Sequence, residues 1–335
     1  MKAISYDRNG DSSILALIER EIREPAAGEV RVRVIVSGVN PTDWKARVNN
    51  PVAGPKVPNQ DGAGIVDAVG DGVTAFSVGD RVWLWDVAWQ TSEGTAQQYV
   101  TLPTSNVVAL PDGESFDTGA SLGIPALTAH LALTANEHGP ARLAPGALDG
   151  RVVLVTGGAG AVGHAAIQLA TWAGATVIST VSGADKAALA LAAGANHVIN
   201  YRDDDVAAAV LAIAPDGVHT IVDVNIIANI EADLAAIAAN GTIASYADAP
   251  ANSVTIPVRG SMSKNTRFQF ILTYTSSPEA KANAVDAVSE ALAAGALRVG
   301  ADNGLPLVRF PLAETPAAHD AVENGFVGKV LIDVE

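Results

Sequence analysis

VVLVTGGAGAVGHAAIQLA, residues 152–170, decides the fold of this chain. An apolar run from Val152 to Val155 breaks into glycines, and helical spacing begins at once. The break carries Gly158-x-Gly160-x-x-Gly163. A lone motif of this kind means little, but here it follows a buried strand and opens an amphipathic helix, the context that a dinucleotide-binding turn requires. Gly158 is expected to permit the tight turn, Gly160 to leave room for a pyrophosphate, and Gly163 to bring the helix close to the sheet. The free N–H groups of the first helical turn, at Ala161, Val162 and Gly163, would face the phosphates. The alternative is a glycine turn that binds nothing.

Downstream, strand and helix alternate. ATVISTV, HVIN, GVHTIVDV and GTIASYA read as strands, separated by alanine-rich helices, and RFQFILTY (267–274) reads as a sixth strand. Such alternation means right-handed βαβ units on a parallel sheet. Upstream, Val30 to Val34 alternates with period two, and short strands at GIVDAVGDGV, VGDRVWLW and GTAQQYVTLP are cut by glycines, as in a small barrel or sandwich. Helical spacing resumes over Leu127 to Leu133. After a helix from Ser277 to Gly295, short strands at Leu307-Val308 and Lys329 to Val334 flank a last helix and return to the first pattern.

Length and composition agree. A chain of 335 residues suits about two domains. The net charge of −15 argues against nucleic acid and anionic membranes as partners, because both attract basic surfaces. No cysteine is present, which removes disulfides, Cys-ligated zinc and Cys nucleophiles, and fits a reducing compartment. The polar N-terminus and the absence of a membrane-length apolar run predict a soluble cytoplasmic protein.

The second strand of the series chooses the cofactor. NAD sites place an acid about 20 residues after the glycines, on the ribose 2′-hydroxyl. Here that strand ends in Thr180-Val181-Ser182-Gly183, and Lys186 follows one helical turn later. A hydroxyl and an ammonium suit a 2′-phosphate, so NADPH is expected. Tyr201, after the third strand, can stack on or bond the same region. Asp185 would repel the phosphate if it pointed inward, and Lys186 could instead be a solvated helix lysine.

The chain resembles the zinc-independent quinone oxidoreductases, the zeta-crystallin-like group of the medium-chain dehydrogenase/reductase superfamily. The resemblance rests on SGVNPTDWKAR (37–47), DGAGIVDAVGDGVTAFSVGDRVW (61–83), GTAQQYV (94–100), IPALTAH (124–130), VTGGAGAVGHAAIQLA (155–170), GADKAALALAAGANHVINYRDDD (183–205) and GKVLIDV (328–334). It implies an α/β fold, with a GroES-like β-barrel domain (1–124 and 275–335) split around a Rossmann domain (125–274) built on a doubly wound parallel six-stranded sheet. The active site would lie in the cleft between them. It also implies a homodimer in which the strand 267–274 pairs with its mate, unless other segments cover that edge. Zinc alcohol dehydrogenases of the superfamily place ligands where this chain has Asn40, Gln60 (with Asp61 in place of a glutamate) and Ile124, none a good zinc ligand. No metal is expected, and without one nothing strongly polarises an alcohol.

The resemblance therefore implies NADPH-dependent hydride transfer to a quinone or conjugated enone, a small molecule already electrophilic. Asn40 would hydrogen-bond the acceptor's carbonyl and Gln60 would help hold that oxygen or a water. Asp43 and Arg47 would orient the loop or relay a proton. Thr128 would contact the nicotinamide side, and Asn225, Ser245, Phe270 and Ile271 would lie near the ribose and nicotinamide. Each has a plainer reading: Asp43 as a turn cap, Arg47 as a surface arginine, Gln60 as a buried amide bonded to backbone. Trp44, Trp85 and Trp89 are candidates for an aromatic wall on a flat substrate, while Trp83 fits the core. A non-catalytic NADPH-binding protein and a zinc alcohol dehydrogenase are the competing readings.

Overall fold

The computed structural model describes residues 1–247 and 253–335. The described chain divides into two compact units, one of residues 1–124 with 307–335 and one of residues 125–306.

The first unit opens with a hairpin of β1 (Lys2–Ser5) and β2 (Ala16–Glu19). Then come β3 (Glu29–Val39), α1 (Pro41–Asn49), β4 (Asp61–Val69), β5 (Arg81–Leu84), β6 (Tyr99–Pro103), β7 (Val107–Ala109) and the start of α2 (Phe116–Leu133). The long β3 is its hub: β4 and β6 both pair with it antiparallel, and two register shifts against β4 let the strand bend. Period-two alternation buries Val30, Val32 and Val34 completely. They join Val66, Val82, Leu84, Val100 and Leu102 in one apolar core.

The second unit contains β8 (Val152–Thr156), α3 (Ala161–Trp172), β9 (Thr176–Val181), α4 (Ala184–Ala192), β10 (His197–Asn200), α5 (Val206–Ile213), β11 (Val218–Asp223), α6 (Ile226–Ala236), β12 (Ile237–Ser245), α7 (Val258–Lys264), β13 (Arg267–Phe270) and α8 (Pro278–Ala293). Its six strands run parallel in the order β10-β9-β8-β11-β12-β13, the doubly wound order that the alternation implied. Leu154, Ile178, Ile221 and Ile243 are fully buried in its core.

The chain then returns to the first unit through β14 (Leu307–Pro311), α9 (Thr315–Glu323) and β15 (Lys329–Asp333). β15 pairs antiparallel with β3 and parallel with β14, which completes a seven-stranded sheet.

Two expectations are corrected. The return falls at Leu307 and not at 275, because α8 buries Ala284, Ala287, Val288, Ala291 and Leu292 within the second unit. Gln168 of α3 clamps the chain after it, donating to the Arg298 carbonyl and accepting from its N–H, each at 3.1 Å. The sixth strand ends at Phe270, not 274, because Thr273–Thr275 turns into a 3-10 helix.

Candidate active site and cofactor cradle

In the first unit, the site grows from a turn. VPNQDGAG (57–64) leads into β4 through Asn59, which holds a left-handed φ of 79°. An asparagine tolerates that region because its short side chain bonds locally. Here Asn59 Nδ2 donates to Ser37 Oγ at 3.0 Å, and its Oδ1 accepts from His319 Nε2 at 2.9 Å. The chain continues through Ser37 to Thr95, whose hydroxyl donates to the Asp61 carbonyl at 2.6 Å. The turn is thus nailed to β3 and α9, and the side chains after it have fixed places.

Asp43 is the brace. Buried at the third position of α1, its carboxylate accepts from the backbone N–H of Asn40 at 2.7 Å and of Gln60 at 3.1 Å. The cap and the loop-orienting roles are therefore one: the carboxylate caps the start of the helix and holds the backbones of the two amide residues. Burial pushes its carboxyl up to about 7, with the Asp61 charge adding to the rise and the Lys329 charge opposing it.

Asn40 and Gln60 are both buried, and both turn their carbonyl oxygens into the protein. Gln60 Oε1 accepts from the Ala88 N–H at 3.0 Å, and its Nε2 bonds to no protein group among the described residues. Asn40 Oδ1 accepts from Lys329 Nζ at 2.6 Å, and its Nδ2 donates to Asp61 Oδ2 at 2.6 Å. Asn40 thus has one amide hydrogen left for an acceptor, and Gln60 has two. Sequence reading missed Lys329. Its signal was a lysine heading the apolar stretch KVLI, where a strand bound for the core has no solvent to offer it.

Asp61 completes the knot. Its carboxylate lies 3.7 Å from Lys329 Nζ and accepts from the Ile124 N–H at 3.0 Å. A Cβ on Gly123 would stand 2.1 Å from Asp61 Oδ1, so the helix can approach only as glycine. Burial pushes Asp61 up to about 6 and holds Lys329 below its ordinary value, while their mutual attraction opposes both shifts.

Arg47 is not the surface arginine of its plainer reading. It is fully buried, and Nη2 pairs with Glu323 of α9 at 2.8 Å. It ties α1 to α9 and, with burial, drives His319 down to about 3. Trp83 is core, facing Ala63 and Val108 on neighbouring strands. Trp85 is buried, and Trp44 and Trp89 are half-buried. The segment carrying Trp85 and Trp89 is pinned by Gln60, whose carbonyl accepts from the Val87 N–H at 3.2 Å.

Asp43 sets a pH dependence. Its folded pKa lies above the usual 3.8, so the folded state holds the proton more tightly. The stability this confers is lost as pH rises from about 4 to about 7. Urea unfolding of wild type against Asp43→Asn across that range should show wild type losing ground steadily. A parallel pair of curves would refute the assignment.

In the second unit, the glycines take different jobs from those expected. The left-handed residue of the turn is Gly157, at φ 69°. Gly158 permits close approach to β9, since a Cβ there would meet Ser179 Oγ at 2.0 Å. Gly163 is confined by the turn itself, with the Gly157 carbonyl 2.5 Å from its would-be Cβ. Gly160 caps α3 in extended backbone, and its would-be Cβ meets only the Gly157 carbonyl at 3.4 Å. Ala161, Val162 and Gly163 open the helix, where N–H groups lack an intrahelical partner. This is a cradle fitted to a pyrophosphate.

Ser182 follows β9 and Tyr201 follows β10. The register places Asn200 beside Val181, and the Tyr201 N–H donates to the Val181 carbonyl at 3.1 Å, which brings the two together. Lys186 sits half-buried in the first turn of α4, whereas Asp185 is exposed. Arg202, which sequence reading passed over, is exposed next to Tyr201. Thr128 is buried, its hydroxyl 2.6 Å from that of Thr273. Ser245 is buried at the end of β12, and its carbonyl accepts from the Ile271 N–H at 2.8 Å. Phe270 lies 58% exposed on the edge strand. Asn225 caps α6, accepting from the Ala228 N–H at 3.4 Å, so its oxygen is already engaged. Beneath it, Asp223 accepts from Asn225 N–H at 2.6 Å and Asn229 Nδ2 at 2.7 Å. Asp233 stays protonated beside Asp223, pushed up to about 9 by burial and by that neighbour's charge.

Among the described residues, no three His, Cys, Asp or Glu side chains are grouped to hold a metal, and no helix is long and apolar enough to cross a membrane.

Fold and sites together define a dinucleotide-dependent oxidoreductase. The alcohol dehydrogenase GroES-like domain matches residues 26–112, and the zinc-binding dehydrogenase family matches residues 161–290. Quinone oxidoreductase of Pseudomonas aeruginosa is 31% identical, with 95% of this chain and 94% of that protein covered. Quinone oxidoreductase of Rattus norvegicus is 29% identical over 99% of this chain and 97% of that one. The structure of Escherichia coli quinone oxidoreductase with NADPH superposes with a TM-score of 0.82 at 25% identity, covering 99% of this chain and 100% of that one. The chain belongs to the medium-chain dehydrogenase/reductase superfamily, in its zinc-independent, quinone-oxidoreductase-like branch.

Proposed function

We propose that this oxidoreductase reduces a quinone or conjugated enone by two electrons at NADPH's expense, in the cytoplasm and without a metal. The observation that carries the reading is the pair of amides. Gln60 and Asn40 both turn their oxygens inward and keep N–H donors, which suit an acceptor's oxygen. A buried ammonium beside them repels a second cation. NADPH, when bound, supplies the hydride. The protein's part is to hold the phosphates on the glycine cradle, grip the ribose phosphate with Ser182, Lys186 and Tyr201, and orient the acceptor, so that alignment supplies much of the rate.

Steady-state oxidation of NADPH and NADH against a set of quinones and alkenals tests this. Turnover of at least one with NADPH preferred supports it, and no turnover of any sinks it. Lys186→Ala should lower the ratio of kcat/KM for NADPH over NADH about 10-fold, or ~1.4 kcal/mol. An unchanged ratio would remove Lys186 from the phosphate site.

We also propose a homodimer through the edge strand β13. Val258, Met262, Phe270 and Leu272 are exposed on the segment around it, and an open apolar edge invites a second copy. Sedimentation showing a monomer at micromolar concentration would end that proposal.

A further inference from the structure

We infer that Lys329 is a positioning residue that fixes the amide of Asn40, so that the site presents N–H donors only and selects acceptors by a bare carbonyl oxygen. The inference rests on the function proposed above and adds a residue and a selectivity to it.

An asparagine amide can turn over, exchanging its oxygen for its nitrogen, and its orientation is set by its partners. At Asn40 the partners leave no choice. Lys329 Nζ is a pure donor, 2.6 Å from Oδ1, and Asp61 Oδ2 is an acceptor, 2.6 Å from Nδ2. Turning the amide would set an N–H against the ammonium and an oxygen against the carboxylate, both repulsive where all three side chains are buried. Gln60 is locked the same way by a weaker donor, the Ala88 N–H. Asp43 holds the backbones of both amides on one carboxylate, so their remaining hydrogens belong to one small surface.

A quinone or enone oxygen, which only accepts, satisfies that surface. A hydroxyl must spend its own hydrogen elsewhere and leaves it unanswered. The ammonium thus acts at one remove: it touches no acceptor, and decides which end of Asn40 the acceptor meets.

The test compares Lys329→Met, Lys329→Arg and the double variant Lys329→Met with Asp61→Asn. The double variant removes both members of the close buried ion pair and serves if the single one does not fold. In whichever methionine variant folds, KM for a naphthoquinone should rise about 10-fold, with kcat falling less and the NADPH dissociation constant within about 2-fold of wild type. Lys329→Arg, still a pure donor, should recover most of the KM. An unchanged KM, or NADPH binding weakened as much as quinone binding, would overturn the inference.

A second readout does not depend on turnover. In 15N-labelled protein the Asn40 side-chain amide, assigned through Asn40→Ser, should show two well-separated proton resonances with slow exchange in wild type. In the methionine variant both should shift and exchange faster with water, still as two lines because rotation about the amide C–N bond stays slow. Should wild type reduce no quinone or enone, the proposed function fails while this measurement still decides the orientation: resonances unmoved by the loss of Lys329 would overturn it.

Discussion

Gly160→Val is expected to leave the fold standing and to weaken NADPH binding roughly 100-fold, or ~2.7 kcal/mol. Gly160 has φ −83° and ψ 160°, ordinary for any residue, and its would-be Cβ meets only the Gly157 carbonyl, at 3.4 Å. The valine methyls would therefore point out of the cradle into the volume where phosphate oxygens must meet the first N–H groups of α3. Gly163→Val makes the contrast. Its Cβ would lie 2.5 Å from the Gly157 carbonyl, so that variant should lose stability as well as affinity. Quenching of protein fluorescence by NADPH, alongside thermal melting, separates the two. Wild-type affinity in Gly160→Val would mean that the phosphates do not sit on this turn.

Asp61→Ala is expected to destabilise the first unit by about 3–5 kcal/mol, the usual loss when one partner of a buried pair is removed. The carboxylate is entirely buried and answers Lys329, Asn40 and the Ile124 N–H together. Removing it takes the close partner from the ammonium and leaves only the more distant Asp43 carboxyl to answer it. Urea unfolding followed by tryptophan fluorescence suits the measurement, because Trp44, Trp83, Trp85 and Trp89 report the first unit and Trp172 the second. The pH dependence has a definite sign. Burial already holds Lys329 below its ordinary value, and loss of Asp61 lowers it further. A lysine whose folded pKa lies below its unfolded one destabilises the fold while charged, so the variant should regain stability as pH rises. A loss under about 1 kcal/mol at neutral pH would show that the pair does not matter to the fold.

Local pattern made much of this molecule legible in the sequence. The parallel sheet follows from strand–helix alternation, and four of its six strands begin and end close to where the apolar runs do, whereas β12 starts four residues early and β13 stops four residues short. The cradle follows from three glycines in a known context, although only three-dimensional crowding shows that Gly157 makes the turn and that Gly158 and Gly163 serve packing. Asn40, Asp43 and Gln60 could be singled out by type and place. What stayed hidden is partnership over distance. Lys329 meets Asn40 from 289 residues away, His319 meets Asn59 from 260, and Arg47 meets Glu323 from 276. No periodicity records such pairs. The boundary at Leu307 was hidden for the same reason, since α8 looks like any amphipathic helix until Gln168 is seen to clamp the chain behind it.

β15 closes the sheet against β3, a strand made near the start of synthesis. At roughly 5–20 residues per second, the ribosome adds Lys329 some 15 to 60 s after Asn40. Through that interval the nascent chain carries β3 with one edge open and Asp61 with no ammonium to answer it. The second unit is complete on emergence of residue 306 and has no such debt. The later-made unit can therefore fold first, while the earlier-made one waits for its missing strand and its missing charge to arrive together.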